Sequence, residues 1–158
     1  MHLQPELTVA ALAERGGRFL VVEERIDGRL VFNQPAGHVE AGETLLEAVV
    51  REAREETAWR FAPHSLLGVY LWRAPGGQRS TLRFAFTGSV RDHDPAQPLD
   101  AGIISTHWLT RSELAAREPW LRTPLVLRCV DDYLAGRRLP LDTIAHLDSR
   151  TAAVESVP

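Results

Sequence analysis

The stretch "GHVEAGETLLEAVVREAREETAW", residues 37–59, contains five glutamates between Glu43 and Glu56. Three of them, Glu52, Glu55 and Glu56, crowd the end of the segment among residues that favour helix formation. Like charges three or four positions apart destabilise a helix, so this arrangement needs a compensating interaction. The segment therefore predicts a partner for its carboxylates.

The same segment carries the start signal of a helix. Thr44 followed three positions later by Glu47 is a capping-box pattern, in which each side chain accepts a bond from the other residue's backbone N–H. The sequence therefore predicts a helix over residues 45–57. Its core-facing stripe, at the spacing i, i+3, i+4, i+7, is predicted to be Leu46, Val49, Val50 and Ala53.

Two interpretations of the acidic face compete. Charged runs on helices are usually solvated surfaces. At about 100° per residue, however, Glu52, Glu55 and Glu56 share an arc about 100° wide and can point at one place. The preceding loop is broken by proline and glycine, and Gly37 can aim its carbonyl oxygen inward. Because a hard divalent cation prefers carboxylate and carbonyl oxygens, a bound cation would turn the repulsion into coordination.

The segment resembles the Nudix box, Gly-x5-Glu-x7-Arg-Glu-x2-Glu-Glu-x-Gly followed by an apolar residue. The matching positions are Gly37, Glu43, Arg51, Glu52, Glu55, Glu56 and the apolar Trp59. This many fixed residues at fixed spacing make the motif specific. The departure is Ala58, where the family usually has a glycine that ends the helix in a left-handed conformation. That conformation costs alanine about 1 kcal/mol.

Outside the box, the chain is similar to the NudJ-type phosphatase branch of the Nudix hydrolase family. The similarity is carried by "TVAALAERGGRFLVVEER", "FNQPAGHVEAGETLLEA", "LRFAFTG", and "TPLV" with "GRRLPLD", and it spans about residues 7–147. The resemblance implies a Nudix fold of the α/β (α+β) class. In this fold a mixed β-sheet is sandwiched between helices in an α/β/α arrangement.

The resemblance also implies hydrolysis of a diphosphate bond with Mg²⁺, for which Mn²⁺ can substitute. The implied metal ligands are Gly37 through its carbonyl oxygen, Glu52, Glu55 and Glu56. Glu52 would bind a metal or accept a proton from water. Arg51 would orient a box glutamate, and Glu43 would brace the loop. Metal lowers the pKa of bound water and neutralises charge that develops on phosphate oxygens, so the implied chemistry is coherent.

Three further residues are weaker candidates for substrate contact. Many members of the family have another carboxylate shortly before a tryptophan; here the tryptophan is Trp108, and Asp100 is the nearest preceding acid. The large apolar residues of "TLRFAF" alternate toward one face of a predicted strand, and Arg83 lies on the other face. Arg83 is therefore a candidate phosphate contact. His38 directly follows Gly37 and is a candidate substrate contact. For each, an ordinary loop or surface position is the competing interpretation.

The remaining sequence predicts further strands and two more helices. A hairpin is predicted around Gly16-Gly17 and a turn at residues 26–29. Extended segments are predicted in "LVFNQPAGHV", "SLLGVYLWRA", "STLRFAFTGSV" and "IISTHWLT". Thr110 with Glu113 and Thr123 with Pro124 predict helix starts, and Gly136 predicts a helix stop.

Composition limits the organisation of the chain and its partners. Its 158 residues suit one domain, expected at residues 1–147, with a loose tail at 148–158. A net charge of −3 argues against a general attraction to nucleic acid, and none of the 18 basic residues is a lysine that could act as a base. Cys129 alone cannot form an internal disulfide. No signal peptide or long apolar run is visible, so a cytoplasmic location without membrane contact is expected.

The resemblance thus implies metal-dependent hydrolysis of nucleoside tri- and diphosphates with release of orthophosphate. The thiamine-precursor pyrimidine diphosphate is a further candidate substrate. Another Nudix substrate, such as ADP-ribose, is an alternative, since Pro75 lies 16 residues beyond the box, although Pro75-Gly76-Gly77 also fits a turn. An inactive Nudix-fold module that binds nucleotides is an alternative of another class. Such modules usually lose box glutamates, and all of them are present here.

Overall fold

The computed structural model describes residues 4–77 and 79–148 of the chain. Its elements in chain order are β1 (Glu6–Arg15), β2 (Arg18–Ile26), β3 (Arg29–Asn33), β4 (Ala36–His38), α1 (Leu45–Thr57), β5 (Arg60–Arg73), β6 (Ser80–Arg91), β7 (Ile103–Thr110), α2 (Arg111–Ala115) and α3 (Leu125–Leu134). Short 3₁₀ helices occupy Glu118–Trp120 and Leu141–Thr143. The predicted tail lies outside the described residues except for Asp148.

Strand β1 is the centre of a seven-stranded mixed sheet. The main path of the sheet is β3-β2-β1-β6-β5, with β4 paired to β1 and β7 paired to β2. Strand β1 runs parallel to β6 and antiparallel to β4 and β2. Its segment "TVAALA", residues 8–13, is buried throughout. A continuous apolar run of this kind is expected of a strand that is covered on both faces.

Helices cover both faces of the sheet, which confirms the predicted α/β/α arrangement. Because side chains alternate along a strand, Ala10 and Leu12 enter one core while Val9 and Ala11 enter the other. The first core is completed by α2 and α3 through Leu114, Leu125, Val126, Cys129 and Val130. The second core is completed by α1 through Ala48, Val49 and Ala53.

The local signals for turns and helix starts are confirmed. Asp27 and Gly28 have φ angles of 49° and 78°, the left-handed pair that a two-residue hairpin turn requires. Both predicted capping boxes have their reciprocal bonds. The last helix begins one residue later than predicted, with Leu125 as its first residue and Pro124 before it. Thr123 still serves the helix start, because its hydroxyl accepts a bond of 3.2 Å from the Leu125 N–H.

The predicted core-facing stripe of α1 is confirmed for Val49 and Ala53 and wrong for Leu46 and Val50, so the buried face is rotated about the helix axis. Leu46 and Val50, expected in the core, are 36% and 37% exposed. The residues that α1 buries are Ala48, Val49, Glu52, Ala53, Glu56 and Thr57. One contact explains the rotation: the Glu56 carboxylate accepts a hydrogen bond of 2.9 Å from the Ala36 N–H of β4. The acidic edge of the helix therefore faces the protein, and two large apolar side chains move toward solvent.

The exit of α1 holds a strained alanine. Ala58 is buried at φ 58° and ψ 12°, the left-handed conformation in which the family usually has glycine, and its N–H donates to the Arg54 carbonyl. Next to it, Trp59 meets Trp108 edge to face. The Arg15 guanidinium lies 4.9 Å and 5.1 Å from the centres of these two rings. Packing around Trp59 therefore fixes the exit of the helix without the glycine.

We expect Ala58→Gly to stabilise the protein by up to about 1 kcal/mol, because glycine adopts positive φ without the steric cost that alanine bears. The lost methyl burial limits the gain. Ala135→Gly is the matched control, since Ala135 ends α3 at φ −72° and gains nothing from glycine. Urea denaturation compares the two variants. Equal destabilisation by both would contradict the strain at Ala58.

Candidate active site

A cleft of about 670 Å³ lies beside the start of β1. Its walls come from β3, β4, α1, the ends of the β5–β6 hairpin and the segment that enters α3. Its polar and charged side chains include Thr8, Glu24, Asn33, Glu52, Glu56, Arg83 and Arg122. The cleft therefore brings acidic groups of the predicted box together with arginines from distant parts of the chain.

Two carboxylates of α1 are buried at this cleft. Glu52 and Glu56 are 8% and 7% exposed. Burial raises the pKa of Glu52 and raises that of Glu56 to about 8, and the negative charge of Asp100 acts in the same direction on both. The Glu56 pKa stays high even though the carboxylate accepts the Ala36 N–H bond. Paired, desolvated carboxylates can hold a proton near neutral pH or bind a cation that removes their repulsion.

Gly37 lies in direct contact with one of these carboxylates. A Cβ atom at this position would collide with the carboxylate of Glu52, so a larger residue would push β4 away from α1. The absence of a side chain thus lets the loop backbone approach the helix closely. The backbone of Gly37 thus lies against the Glu52 carboxylate, and oxygen donors of these two kinds are the ones that Mg²⁺ prefers.

Arg51 is the main cationic partner of the acidic segment. Its guanidinium donates to both oxygens of Glu43 at 2.7 Å and 3.0 Å. Its Nη1 donates to Glu52 at 2.9 Å and to Glu55 at 3.0 Å, and its Nη2 donates to the His38 carbonyl at 3.0 Å. These bonds raise the pKa of Arg51 further, chiefly through Glu43. One cation therefore bonds to three carboxylates and reduces their mutual repulsion.

The three glutamates expected to share one point divide between two partners, since Glu52 and Glu55 both accept from Arg51 Nη1. Glu55, with a side chain 41% exposed, turns to Arg51, while Glu56 turns to β4. Within residues 4–77 and 79–148, no three acidic, histidine or cysteine side chains are already arranged as a metal site. The shared metal role of the three glutamates stays a prediction, with Arg51 holding Glu52 and Glu55 and β4 holding Glu56. The donor chemistry still fits a divalent cation, with Glu52 and Glu56 buried beside the Gly37 backbone.

The weaker candidates have three different environments. Arg83 is 4% exposed and lines the cleft, so the interpretation of it as a surface arginine is wrong. His38 also lines the cleft, but its side chain is largely exposed and lies 3.5 Å from the Glu6 carboxylate. Asp100 is held against α1, because its N–H donates a bond of 3.0 Å to the Glu55 carbonyl.

Two amides bonded to Arg83 were not predicted as site residues, and one of them, Asn33, lines the cleft. Arg83 donates to Gln34 Oε1 at 3.3 Å and to Asn33 Oδ1 at 3.4 Å. Gln34 is itself anchored, because its Nε2 donates to the Val126 carbonyl at 2.8 Å. The available signal was a pair of amides directly before Pro35 in an otherwise apolar extended segment. Their partner is 49 to 50 residues away in sequence, so local spacing did not predict the contact.

Comparison with known proteins gives a family match over most of the chain. Residues 3–128 match the family profile described as the NUDIX domain. The chain belongs to the Nudix hydrolase family. The phosphatase NudJ of Escherichia coli strain K12 is 40% identical to this Nudix chain over 141 residues, which cover 89% of the chain and 91% of that relative. The solved structure of a NUDIX hydrolase from Nitrosomonas europaea has a TM-score of 0.89 and 42% identity, and the match covers 92% of this chain and 99% of that one.

More distant Nudix structures share the fold alone. An ADP-ribose pyrophosphatase from Streptococcus suis has a TM-score of 0.63 at 17% identity, with 92% of this chain and 97% of that chain covered. As a Nudix hydrolase, the protein is an enzyme that acts on acid anhydrides in phosphorus-containing compounds. The family acts on small nucleotide substrates and generally uses divalent metals. None of the described helices has both the length and the apolar character needed to cross a membrane.

We expect the stability of the metal-free protein to fall as pH rises from about 5 to about 8. The folded pKa of Glu56 is about 8 against an ordinary value of 4.5, so between these values the folded state binds the additional proton. Unfolding then becomes easier with rising pH. Glu56→Gln should reduce this slope and be more stable than wild type at about pH 8.

Urea denaturation in the presence of a chelator, at several pH values, measures the slope for each protein. Glu118→Gln is the matched control, since this carboxylate is exposed and lies outside the cleft. A slope that is identical in wild type and Glu56→Gln would show that Glu56 does not hold the proton.

Proposed function

We propose that this Nudix hydrolase removes the terminal phosphate from nucleoside tri- and diphosphates in a reaction that depends on Mg²⁺, with Mn²⁺ as a substitute. The thiamine-precursor pyrimidine diphosphate is a further candidate substrate. The observation that carries the proposal is the pair of buried carboxylates, Glu52 and Glu56, in a cleft that also contains the buried Arg83. Acidic groups and a buried cation in one cleft suit a ligand that combines a metal with phosphate. The 40% identity to the phosphatase NudJ supports the phosphatase class.

The residues that would hold the metal are Gly37 through its carbonyl oxygen, Glu52, Glu55 and Glu56. When bound, Mg²⁺ lowers the pKa of water and neutralises charge on phosphate oxygens. Glu56 is fixed for this role by its bond to the Ala36 N–H. Glu55 is 41% exposed and can turn away from Arg51 toward the cleft.

Glu52 would either bind the metal or act as the general base, and its environment suits the second role. Its carboxylate lines the cleft, and burial raises its pKa above the ordinary value, which makes it a better proton acceptor near neutral pH. Arg51 donates to one oxygen of Glu52 and thereby sets the orientation of the carboxylate. Glu43 binds Arg51 through two hydrogen bonds and so positions the guanidinium.

Substrate contacts are assigned to Arg83, His38 and Asp100. Arg83 and His38 line the cleft on two different strands, with the exposed imidazole nearer to solvent. Asp100 sits against the end of α1, where its charge is felt by Glu52 and Glu56. A carboxylate at that place suits contact with water or metal rather than with a phosphate oxygen.

ADP-ribose hydrolysis receives little support as an alternative. Pro75, the residue that suggested it, lies in the turn between β5 and β6. That turn is closed by a bond of 2.9 Å from the Gly77 N–H to the Ala74 carbonyl, and Gly76 and Gly77 both have positive φ. The turn therefore accounts for Pro75 without a role in substrate recognition. Production of AMP from ADP-ribose would be the direct sign of this alternative activity.

We expect Glu56→Gln to lower kcat by at least about tenfold at saturating Mg²⁺, because the loss of one charged ligand weakens charge neutralisation in the transition state. Steady-state release of orthophosphate measures the change, and circular dichroism checks that the fold is retained. Glu118→Gln should keep the turnover of wild type. Turnover near that of wild type in Glu56→Gln would remove Glu56 from the metal site.

We expect a nucleoside triphosphate to give orthophosphate and nucleoside diphosphate as its first products. Attack requires the phosphorus to lie about 3–3.5 Å from the activated water, so the fit of the rest of the substrate selects the phosphorus. Hydrolysis in ¹⁸O-labelled water, followed by mass spectrometry, locates the attack, and label in orthophosphate supports terminal cleavage. Pyrophosphate with nucleoside monophosphate as first products would reject the phosphatase assignment and leave the family assignment intact.

A further inference from the structure

Two buried polar atoms at the cleft have no hydrogen-bond partner among the described residues. They are the hydroxyl oxygen of Thr8 and the Nε of Arg83. Thr8 is 8% exposed and Arg83 is 4% exposed, so water does not freely solvate either side chain. Buried polar groups are almost always bonded in folded proteins. Two such atoms at one cleft therefore point to a ligand.

The two residues are neighbours in the sheet. Thr8 of β1 and Arg83 of β6 are directly paired in the parallel register, and both line the cleft. Adjacent strands lie about 4.8 Å apart, so paired side chains on one face are in reach of a single small group. On its other side Thr8 is paired with His38 of β4, next to Gly37. Thr8 thus lies one strand spacing, about 4.8 Å, from β4, and Arg83 lies two spacings, roughly 10 Å, from it.

The charge of Arg83 is poorly balanced within the protein. Its hydrogen bonds to Asn33 and Gln34 are long, at 3.4 Å and 3.3 Å, and both acceptors are neutral amides. The charge of Glu24 acts on Arg83, but the Glu24 carboxylate is bonded to Arg122 at 3.2 Å. Among the described residues, no carboxylate lies within ion-pair distance of Arg83. A buried charge without an ionic partner is costly, and an anion in the cleft would supply that partner.

We propose that Arg83 and Thr8 form an oxyanion subsite that binds one phosphate group of the substrate. The Nε–H of Arg83 and the hydroxyl of Thr8, both covered in this structure, donate to its oxygens after a change of rotamer turns them toward the cleft, and the guanidinium balances its charge. The inference rests on the proposed function for the source of the phosphate. Because Glu52 marks the place of attack on the other side of β1, the subsite holds a phosphate that is not transferred. It is therefore the element of the cleft that selects which phosphorus lies opposite the base.

The test uses methylenediphosphonate, which cannot be hydrolysed, as a probe with Mg²⁺ in isothermal titration calorimetry. Arg83→Met should weaken its binding by at least about tenfold, and Thr8→Val should weaken it by about threefold or more. The KM for a nucleoside triphosphate should rise by similar factors, with a smaller change in kcat. The matched controls are Arg91→Met, exposed on the same strand, and Thr87→Val, buried in the same strand outside the cleft. Both controls should bind the probe as wild type does.

A thermal readout separates ligand binding from a purely structural role. Without ligand, Arg83→Met should melt at or above the temperature of wild type, because an apolar chain replaces an uncompensated buried charge. Its melting temperature should no longer rise when the probe is added. Thr8→Val is nearly isosteric and keeps the test valid if Arg83→Met fails to fold.

Three outcomes would overturn the subsite. The first is probe binding at wild-type strength in Thr8→Val and in any folded Arg83→Met. The second is an Arg83→Met variant that raises the nucleotide KM but leaves probe binding intact, since Arg83 would then contact the nucleoside. The third is a lower melting temperature in ligand-free Arg83→Met together with full probe binding in Thr8→Val. If wild type binds the probe through these residues but hydrolyses no nucleotide, the proposed function fails and the subsite stands.

Discussion

The guanidinium of Arg51 joins the acidic helix to the loop that precedes it. It donates to Glu43, Glu52 and Glu55, and also to the His38 carbonyl at the end of β4. The planar arrangement of its N–H groups lets one cation serve several oxygen atoms at fixed angles. Since β4 is paired with β1, the network attaches the box to the centre of the sheet. The crowding of glutamates on α1 is tolerable because this arginine lies among them.

Burial of the Glu52 and Glu56 carboxylates is energetically unfavourable. The acidic edge of α1 faces β4, and the rotation leaves Leu46 and Val50 partly exposed. Burial also raises the pKa of Glu52 and Glu56. A helix optimised for stability alone would place its large apolar side chains in the core instead. Such local conflicts between sequence preference and structure are characteristic of functional sites.

The central strand divides the cleft into two chemically different parts. Gly37, Glu52 and Glu56 lie on the side of β4, whereas Arg83 projects from β6 on the other side of β1. The first part holds acidic oxygen atoms and the second holds a buried cation. A substrate with a chain of phosphates can contact both parts at once. This division separates the acidic box shared across the Nudix family from a buried cation outside it.

Local signals in the sequence determined the family, the α/β/α fold, the bounds of α1 at residues 45–57 and most of the strands. Capping boxes, turn residues and alternating apolar runs act over a few residues, so they are visible in the chain itself. Only the tertiary structure decided the rotation of α1, the capture of Glu55 by Arg51 and the burial of Arg83 beside Thr8. These features follow from strand register, desolvation and competition among charges that are distant in sequence. Helical spacing gives the angle between side chains on one helix, but it does not give the direction in which packing turns that helix.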